Sequence, residues 1–503
     1  MAVVVAVCER APVTAEQHGQ SGVVGRAVSG TFIALVGQLA SQLLRFASTI
    51  ALARFLPESA FGVNAIVASV TLGLWMVSDI GIPAGIIKSS RDDERFLRTA
   101  WTLSLARGAI LLVAGCIVGL PAAWFYEEPE LAWLMPLGSL MIFFVAAEST
   151  LVYAATRSMR IGKVVLLEVV GQAIALGVSI SVAIKTGHVI ALVAGAGVSG
   201  LVKLVLSHTI LDGPRMRFAW DTAALAEILS FGRFIFISTL MSYVAVRWDI
   251  FALGKLEGMA LLGIYGIANQ VTSVPHQMSV QATTSVLAPV LADAWRTSPE
   301  TLRARLELAR RAYLPVALLL FLGAATLAPA FFVVAYKKAF HAAGIMAQAL
   351  MVQAFFDFLQ EASTRALLAK GDGRGMALSS TAKLVATIAC TVVGLELFGF
   401  WGFVWGNAAG GLVGVIVTGL RLRAQGVPLA LSRDLAAAAV FLVLLGVSCG
   451  VPLLLEDTLG VAVAWTTALS CVLLCGPLAV VVFAQLRAAR RALAASAITG
   501  SAA

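Results

Sequence analysis

Stretches of about twenty apolar residues, separated by short charged or turn-rich breaks, recur along the whole chain. In hydrocarbon every backbone N–H and C=O must be satisfied within the segment, so such stretches read as helices. The chain has 503 residues, 60% of them hydrophobic and only 13% charged. A soluble protein is nearer a quarter charged. The breaks delimit about fourteen spans, near 28–52, 60–86, 100–124, 131–154, 164–184, 187–210, 231–254, 260–291, 312–335, 342–368, 376–396, 399–420, 434–454 and 459–486. The expected fold class is an all-α polytopic membrane protein.

A net charge of +9 suggests nucleic acid in a soluble protein, but here the basic residues fall in short loops. Lys88, Arg91, Arg95 and Arg98; Arg157, Arg160 and Lys163; Arg296, Arg303, Arg305, Arg310 and Arg311; and Arg421, Arg423 and Arg433 all lie on one side. The other side holds little beyond Arg54, Lys185, Lys255, Lys337 and Lys338, and one of its loops is purely acidic (Glu127, Glu128 and Glu130). Positive loops stay inside, which places both termini in the cytoplasm and makes the span count even. The N-terminus lacks a basic stretch before its short apolar start, so it does not read as a cleaved signal. The six cysteines lie mostly within apolar segments and read as packing residues. The longest polar stretches, about 212–230 and 292–311, are both on the inner side.

ARFLPESAFGVNAIV from Ala53 and GKLEGMALLGIYGIA from Gly254 align with an offset of 201 residues, pairing Arg54 with Lys255 and Gly62 with Gly263. Six spans separate the copies, so they share one orientation. The expected organisation is a cytoplasmic tail (1–27), a six-helix N-lobe (28–211), a linker (212–230) and a six-helix C-lobe (231–420). A second linker (421–433), two further spans (434–486) and a cytoplasmic tail (487–503) complete it.

Arg45 lies inside the first span, GQLASQLLRFASTIALARF. A charge at the bilayer centre costs at least a few kcal/mol, so it faces a protein interior or a wet cavity. Gln38, Ser41, Gln42, Arg45, Ser48 and Thr49 follow spacings of three and four, which puts them on one stripe. A lone arginine can be a strut paired with a carboxylate; a polar stripe is a cavity wall. Span 7 carries Arg247 and Asp249 near its outer end, either as an ion pair, as snorkelling groups or as part of the same cavity. Span 10 has a second stripe of Gln353, Asp357, Gln360, Glu361 and Thr364. Asp357 and Glu361, one turn apart, can take up a proton or Na⁺ unless Arg365 or Lys383 neutralises them. Asp79, Glu148 and Glu168 are further candidates, the last with Lys163 as a possible counter-ion.

Gly402, Gly406, Gly410 and Gly414 recur every four residues, which suits close helix packing in lipid. Pro275 and Pro289 are expected to kink span 8. KGDGRG (370–375) lacks the spacing of a phosphate loop and reads as a turn. No catalytic constellation, metal-ligand spacing or nucleotide motif is visible, so neither enzymatic activity nor a cofactor is expected.

ALARFLPESAFGVNAIV followed by SDIGI resembles the start of the Wzx-type polysaccharide-lipid flippases of the MOP superfamily, matching at Arg54, Leu56, Pro57, Glu58, Phe61, Gly62, Asp79 and Gly81. TRSMRIGKVVLLEV from Thr156 and LLGIYGIANQV from Leu261 extend the likeness, which runs from about residue 25 to 425. The resemblance implies a MATE-like fold of two six-helix lobes around a central cavity open alternately to each side. It implies a substrate too: a polyprenyl-pyrophosphate-linked oligosaccharide, moved across the bacterial inner membrane for O-antigen or exopolysaccharide synthesis. On that reading Arg45 and Arg247 bind the pyrophosphate, Gln38, Ser41 and Gln42 touch sugar, and Asp357, Glu361 and Asp79 couple to an ion. A monomer is expected, with a polysaccharide polymerase and a chain-length regulator as possible partners and no nucleic acid. The alternatives are a cation-coupled multidrug exporter of the same fold, whose cavity should be net acidic, and a membrane glycan polymerase or glycosyltransferase, which needs outer-loop carboxylates.

Overall fold

A computed structural model describes residues 21–78, 82–83, 86, 93–158, 161–222, 235–426 and 429–459. Asp79 and the span expected at 459–486 lie outside the described residues, apart from Leu459 itself. Fourteen α-helices are described: α1 (Ser21–Phe55), α2 (Glu58–Val77), α3 (Glu94–Tyr126), α4 (Leu131–Ala147), α5 (Leu151–Arg157), α6 (Ile161–Thr186), α7 (Ile190–Thr209), α8 (Ile235–Leu256), α9 (Gly258–Ala282), α10 (Ala288–Thr297), α11 (Pro299–Ala335), α12 (Ala342–Ala369), α13 (Gly373–Ala424) and α14 (Leu429–Leu459). There is no strand among the described residues. Eight of the helices are long and apolar enough to cross a membrane, or nine spans if α4 and α5 are one broken crossing. Their outward faces carry Ile110, Ile117, Leu120 and Trp124 on α3 and Val385, Leu397 and Phe398 on α13, all exposed. This is a multi-pass membrane protein whose solvent on those faces is lipid.

Three helices depart from the spans expected of the sequence, each for a local reason. The polar stretch before span 9 is helical: Ser298 caps α11 by accepting from the Thr301 N–H at 3.1 Å, with Pro299 in the first turn. Span 8 is divided: α9 ends at Ala282, a π turn covers Thr283–Leu287, and Pro289 sits in the first turn of α10. Span 4 is broken between α4 and α5, which meet at 56°.

The helix α13 is a hairpin of two spans. Gly399, at φ +61° and ψ −149°, breaks it, in a region where a Cβ is strained. A Cβ on Gly402 would lie 1.8 Å from the Gly394 carbonyl oxygen, and one on Gly410 would lie 2.1 Å from Thr387 Oγ1. The glycine periodicity is thus the seam of this hairpin, except for Gly414, which packs against Gln360 of α12. The KGDGRG segment is a turn, as expected. Gly371 has φ +74°, and Asp372 accepts from the Gly375 N–H at 2.9 Å and from Arg421 Nε at 2.8 Å. The Arg421 hydrogen bond, helped by the Gly375 N–H, holds the Asp372 carboxyl down at about 2.

The described residues divide into two compact units, with the border between Gly266 and Ile267. This border falls later than the linker at 212–230, because α8 and the start of α9 pack on α2. Gly62 faces the Met259 carbonyl and Gly263 the Glu58 carbonyl, each leaving no room for a Cβ. At the same end, Lys255 Nζ meets Glu127 at 2.7 Å, and that hydrogen bond lowers the Glu127 pKa. In the second unit α12 is the central helix. Its Phe355 stacks on Phe441 of α14 (4.6 Å between centroids) and meets Phe321 of α11 edge-on. The same three helices share a buried ion pair: Arg310 grips Asp434 through Nε (3.0 Å) and Nη2 (2.9 Å), and Nη2 also donates to Ser363 Oγ at 2.7 Å.

Candidate functional site

A cluster of charges in the first unit lies where α1, α6 and α7 meet. Gly37 lets α1 lie against Val165 of α6, which brings Arg45 over Glu168. Arg45 Nη2 donates to Glu168 Oε1 at 3.4 Å, and Lys203 Nζ of α7 donates to Glu168 Oε2 at 3.0 Å. One carboxylate therefore bridges two cations. Arg45 is the most open of the three, its side chain 53% exposed against 38% for Glu168 and 23% for Lys203. Gln38 is exposed and Gln42 half-buried on the same helix, whereas Ser41 is buried in the packing with its hydroxyl unpartnered. The stripe read from the sequence is therefore partly open face and partly helix contact. A guanidinium with one nitrogen on a carboxylate keeps further donors in its planar fork, which is the geometry that suits a diphosphate.

Lys163 does not serve Glu168; it pairs with Asp212 at 2.5 Å. Glu148 occupies the break between α4 and α5, in electrostatic reach of Lys203 and Glu168, with Oε1 buried and without a hydrogen-bond partner. Lys203 and Arg107 are intramembrane cations that the sequence reading passed over. Each is a lone basic residue in an apolar span, and that alone marks a residue for attention. Arg107 is structural. It lies over the Trp75 ring at 4.0 Å, donates to Ser78 Oγ at 2.9 Å and to the Trp75 carbonyl, and so caps the C-terminal end of α2.

Arg247 belongs to a separate group on α8 and α9. Asp249 accepts from Tyr265 Oη at 2.7 Å, and Arg247 lies within electrostatic reach of Asp249, Tyr265 and Tyr243. In the second unit, Asp357 pairs with Lys383 at 2.6 Å and Glu361 with Arg365 one turn on. Both of the counter-ions foreseen as neutralising partners are engaged.

These features, apolar helices for lipid with charged side chains held among them, define a polytopic helical membrane protein. The comparisons with known proteins specify it further. Residues 51–341 match the family model described as polysaccharide biosynthesis protein, and the chain belongs to that family. It is similar to the succinoglycan biosynthesis transport protein ExoT of Rhizobium meliloti (strain 1021), 22% identical over 49% of this chain and 50% of that one. It is also similar to the teichuronic acid biosynthesis protein TuaB of Bacillus subtilis (strain 168), 22% identical over 59% and 61%. The match therefore spans between half and two thirds of those relatives. Among solved structures, the lipid II flippase MurJ in an inward closed conformation superposes with a TM-score of 0.66, covering 90% of this chain and 98% of that chain at 13% identity. An inward-facing multidrug resistance MATE family transporter of the MOP superfamily gives 0.55, covering 78% and 96% at 15% identity. At such identities the likeness is one of fold alone.

Proposed function

We propose that the protein is a flippase. It moves a polyprenyl-pyrophosphate-linked oligosaccharide from the inner to the outer leaflet of the bacterial cytoplasmic membrane, by alternating access, for cell-surface polysaccharide synthesis. The observation that carries the reading is the Arg45–Glu168–Lys203 cluster, two cations on one carboxylate inside apolar helices, with the arginine open. The diphosphate-sugar head is the part of the substrate that cannot enter hydrocarbon unaided, and a cationic, amide-bearing face replaces its water shell. Arg45 and Lys203 hold the diphosphate, Gln38 and Gln42 hydrogen-bond sugar hydroxyls, and Arg247 meets the head farther along its path. Nothing is hydrolysed. The driving force is an ion gradient, with Asp357 and Glu361 exchanging their partners Lys383 and Arg365 for the ion, or consumption of the glycan by a polymerase outside. The ExoT and TuaB names, both of polysaccharide biosynthesis, support this choice over the drug-exporter reading, which shares the fold.

The test is translocation of a fluorescent polyprenyl-pyrophosphate oligosaccharide in proteoliposomes, wild type against Arg45→Ala and Lys203→Ala. Transport that falls at least tenfold in both variants, with folding retained, is the expected result. Transport untouched by Arg45→Ala would make that arginine a strut. Absence of transport by the wild type, together with export of cationic dyes, would transfer the protein to the drug exporters.

A further inference from the structure

We propose that Glu148 is a proton-binding residue whose protonation is positively linked to binding of the diphosphate head at Arg45 and Lys203. The inference rests on the head-group site proposed above and goes beyond it by naming where the accompanying proton sits.

The break that carries Glu148 is built rather than accidental. A helix interrupted at membrane depth must find partners for its freed backbone groups, and here neighbouring side chains supply them. The Ala147 carbonyl accepts from Trp101 Nε1 of α3 and lies 3.0 Å from His208 Nε2 of α7, the Trp101 distance also being 3.0 Å. The Ser149 N–H donates to Ser207 Oγ at 3.0 Å, and Thr150 Oγ1 donates to the Leu97 carbonyl at 3.0 Å. A segment held from two helices in this way fixes the direction of the residue between its fixed points, and that residue is Glu148. Its Oε1 is buried without a hydrogen-bond partner, while the cluster around it offers charge instead.

The groups that face it are Glu168 from α6, Lys203 and His208 from α7, and, across Glu168, Arg45 from α1. Apart from His208, which is common to both forms of Glu148, the two basic and two acidic residues cancel when Glu148 is ionised. When Glu148 is protonated the cluster carries one positive charge. A diphosphate monoester or diester brings two to three negative charges to the same two cations. In a low-dielectric setting the arriving anion and an ionised Glu148 compete for Lys203 and repel each other. The anion is therefore bound best when Glu148 holds a proton, taken from water with nothing else transferred. By reciprocity, a bound head group raises proton occupancy at Glu148 by the same factor. Release of that proton then weakens the grip on the head.

The test uses the detergent-solubilised full chain and geranyl pyrophosphate as a soluble probe, titrated between pH 8 and pH 5.5. In the wild type, affinity should rise toward lower pH with a slope up to about tenfold per unit greater than in Glu148→Gln. The probe's own titration is common to both proteins and cancels in that difference. Glu148→Asp should keep the slope. Calorimetry of the wild type in buffers of different ionisation enthalpy should show uptake of up to one proton per probe bound, a readout that needs no variant to fold. Equal slopes in wild type and Glu148→Gln, or no proton uptake beyond the probe's own, would overturn the role of Glu148 while leaving the head-group site standing. Failure of the wild type to bind the probe at any pH would overturn both.

Discussion

Replacing Asp434 by alanine strands a guanidinium that has nowhere to go. Arg310 and Asp434 are each only 1% exposed, joined by two charge-assisted hydrogen bonds with Ser363 as a third member. Arg310 Nη1 already lacks a partner, so the arginine has no spare acceptor to turn to. Removing one member of a buried pair costs about 3–5 kcal/mol, because the other charge stays buried and uncompensated. Replacing both by apolar residues of similar size is neutral or stabilising by about 1–4 kcal/mol. Asp434→Ala should therefore melt roughly 6–20 °C lower, at about 2–4 °C per kcal/mol for a cooperative unit of this size, and Arg310→Met/Asp434→Leu should melt near the wild type. The assay is thermal unfolding of the purified protein in detergent, followed by the fraction eluting as a monodisperse peak. A single mutant within about 1 kcal/mol of wild type, or a double mutant as damaged as the single, would refute the account of a desolvated pair. Since Asp434 sits on α14, the same melt reports whether that helix is fastened to α11 and α12 by charge or by the phenylalanines around Phe441.

Three further outcomes are expected. Gly402→Ala drives a methyl into the Gly394 carbonyl, a backbone atom that cannot swing aside; it should destabilise by about 1–3 kcal/mol or more, and a wild-type melting temperature would contradict the seam. Ser207→Ala removes the acceptor of the buried Ser149 N–H at about 1–3 kcal/mol, read as a lower melt that a threonine at 207 restores. Asp372 is held at about 2 against its ordinary 3.8; its carboxylate thus stabilises the fold fully above the ordinary value, and that contribution disappears as pH falls through about 2. Asp372→Asn should remove the difference between melts at pH 5 and pH 2.5 attributable to this turn, and an unchanged pH profile would show that Arg421 does not hold it.

The hairpin of α13 was legible in the sequence, because a spacing of four glycines and a break between two apolar runs are both local signals. Arg45 was legible as an anomaly for the same reason, a charge where lipid forbids one. Its surroundings were not. The sequence reading offered Lys163 to Glu168, a neighbour five residues away and so on a different face of the helix; the partners are Arg45 and Lys203, which only the packing of α1 and α7 supplies. In the sequence Arg310 reads as a cytoplasmic loop charge, since its run of arginines looks like the foot of a span. The helix begins at Pro299, and the acid that claims Arg310 lies 124 residues on. The break in span 4 was hidden because its three residues, Glu148 to Thr150, carry no glycine or proline and their partners come from α3 and α7.

The crossing at Gly62 and Gly263 has a symmetry of its own. Gly62 approaches the carbonyl of Met259, and Gly263 that of Glu58; each residue of one pair has its equivalent in the other at the same offset (263 less 62, 259 less 58). Residue i touches j while the equivalent of i touches the equivalent of j, which is the rule of an isologous interface between identical subunits. The chain thus holds within itself a contact that obeys the pairing rule of a two-fold dimer. In such an interface a side chain acquired by one glycine meets a backbone the other cannot move, so neither copy can compensate for its twin and the two positions stay small independently.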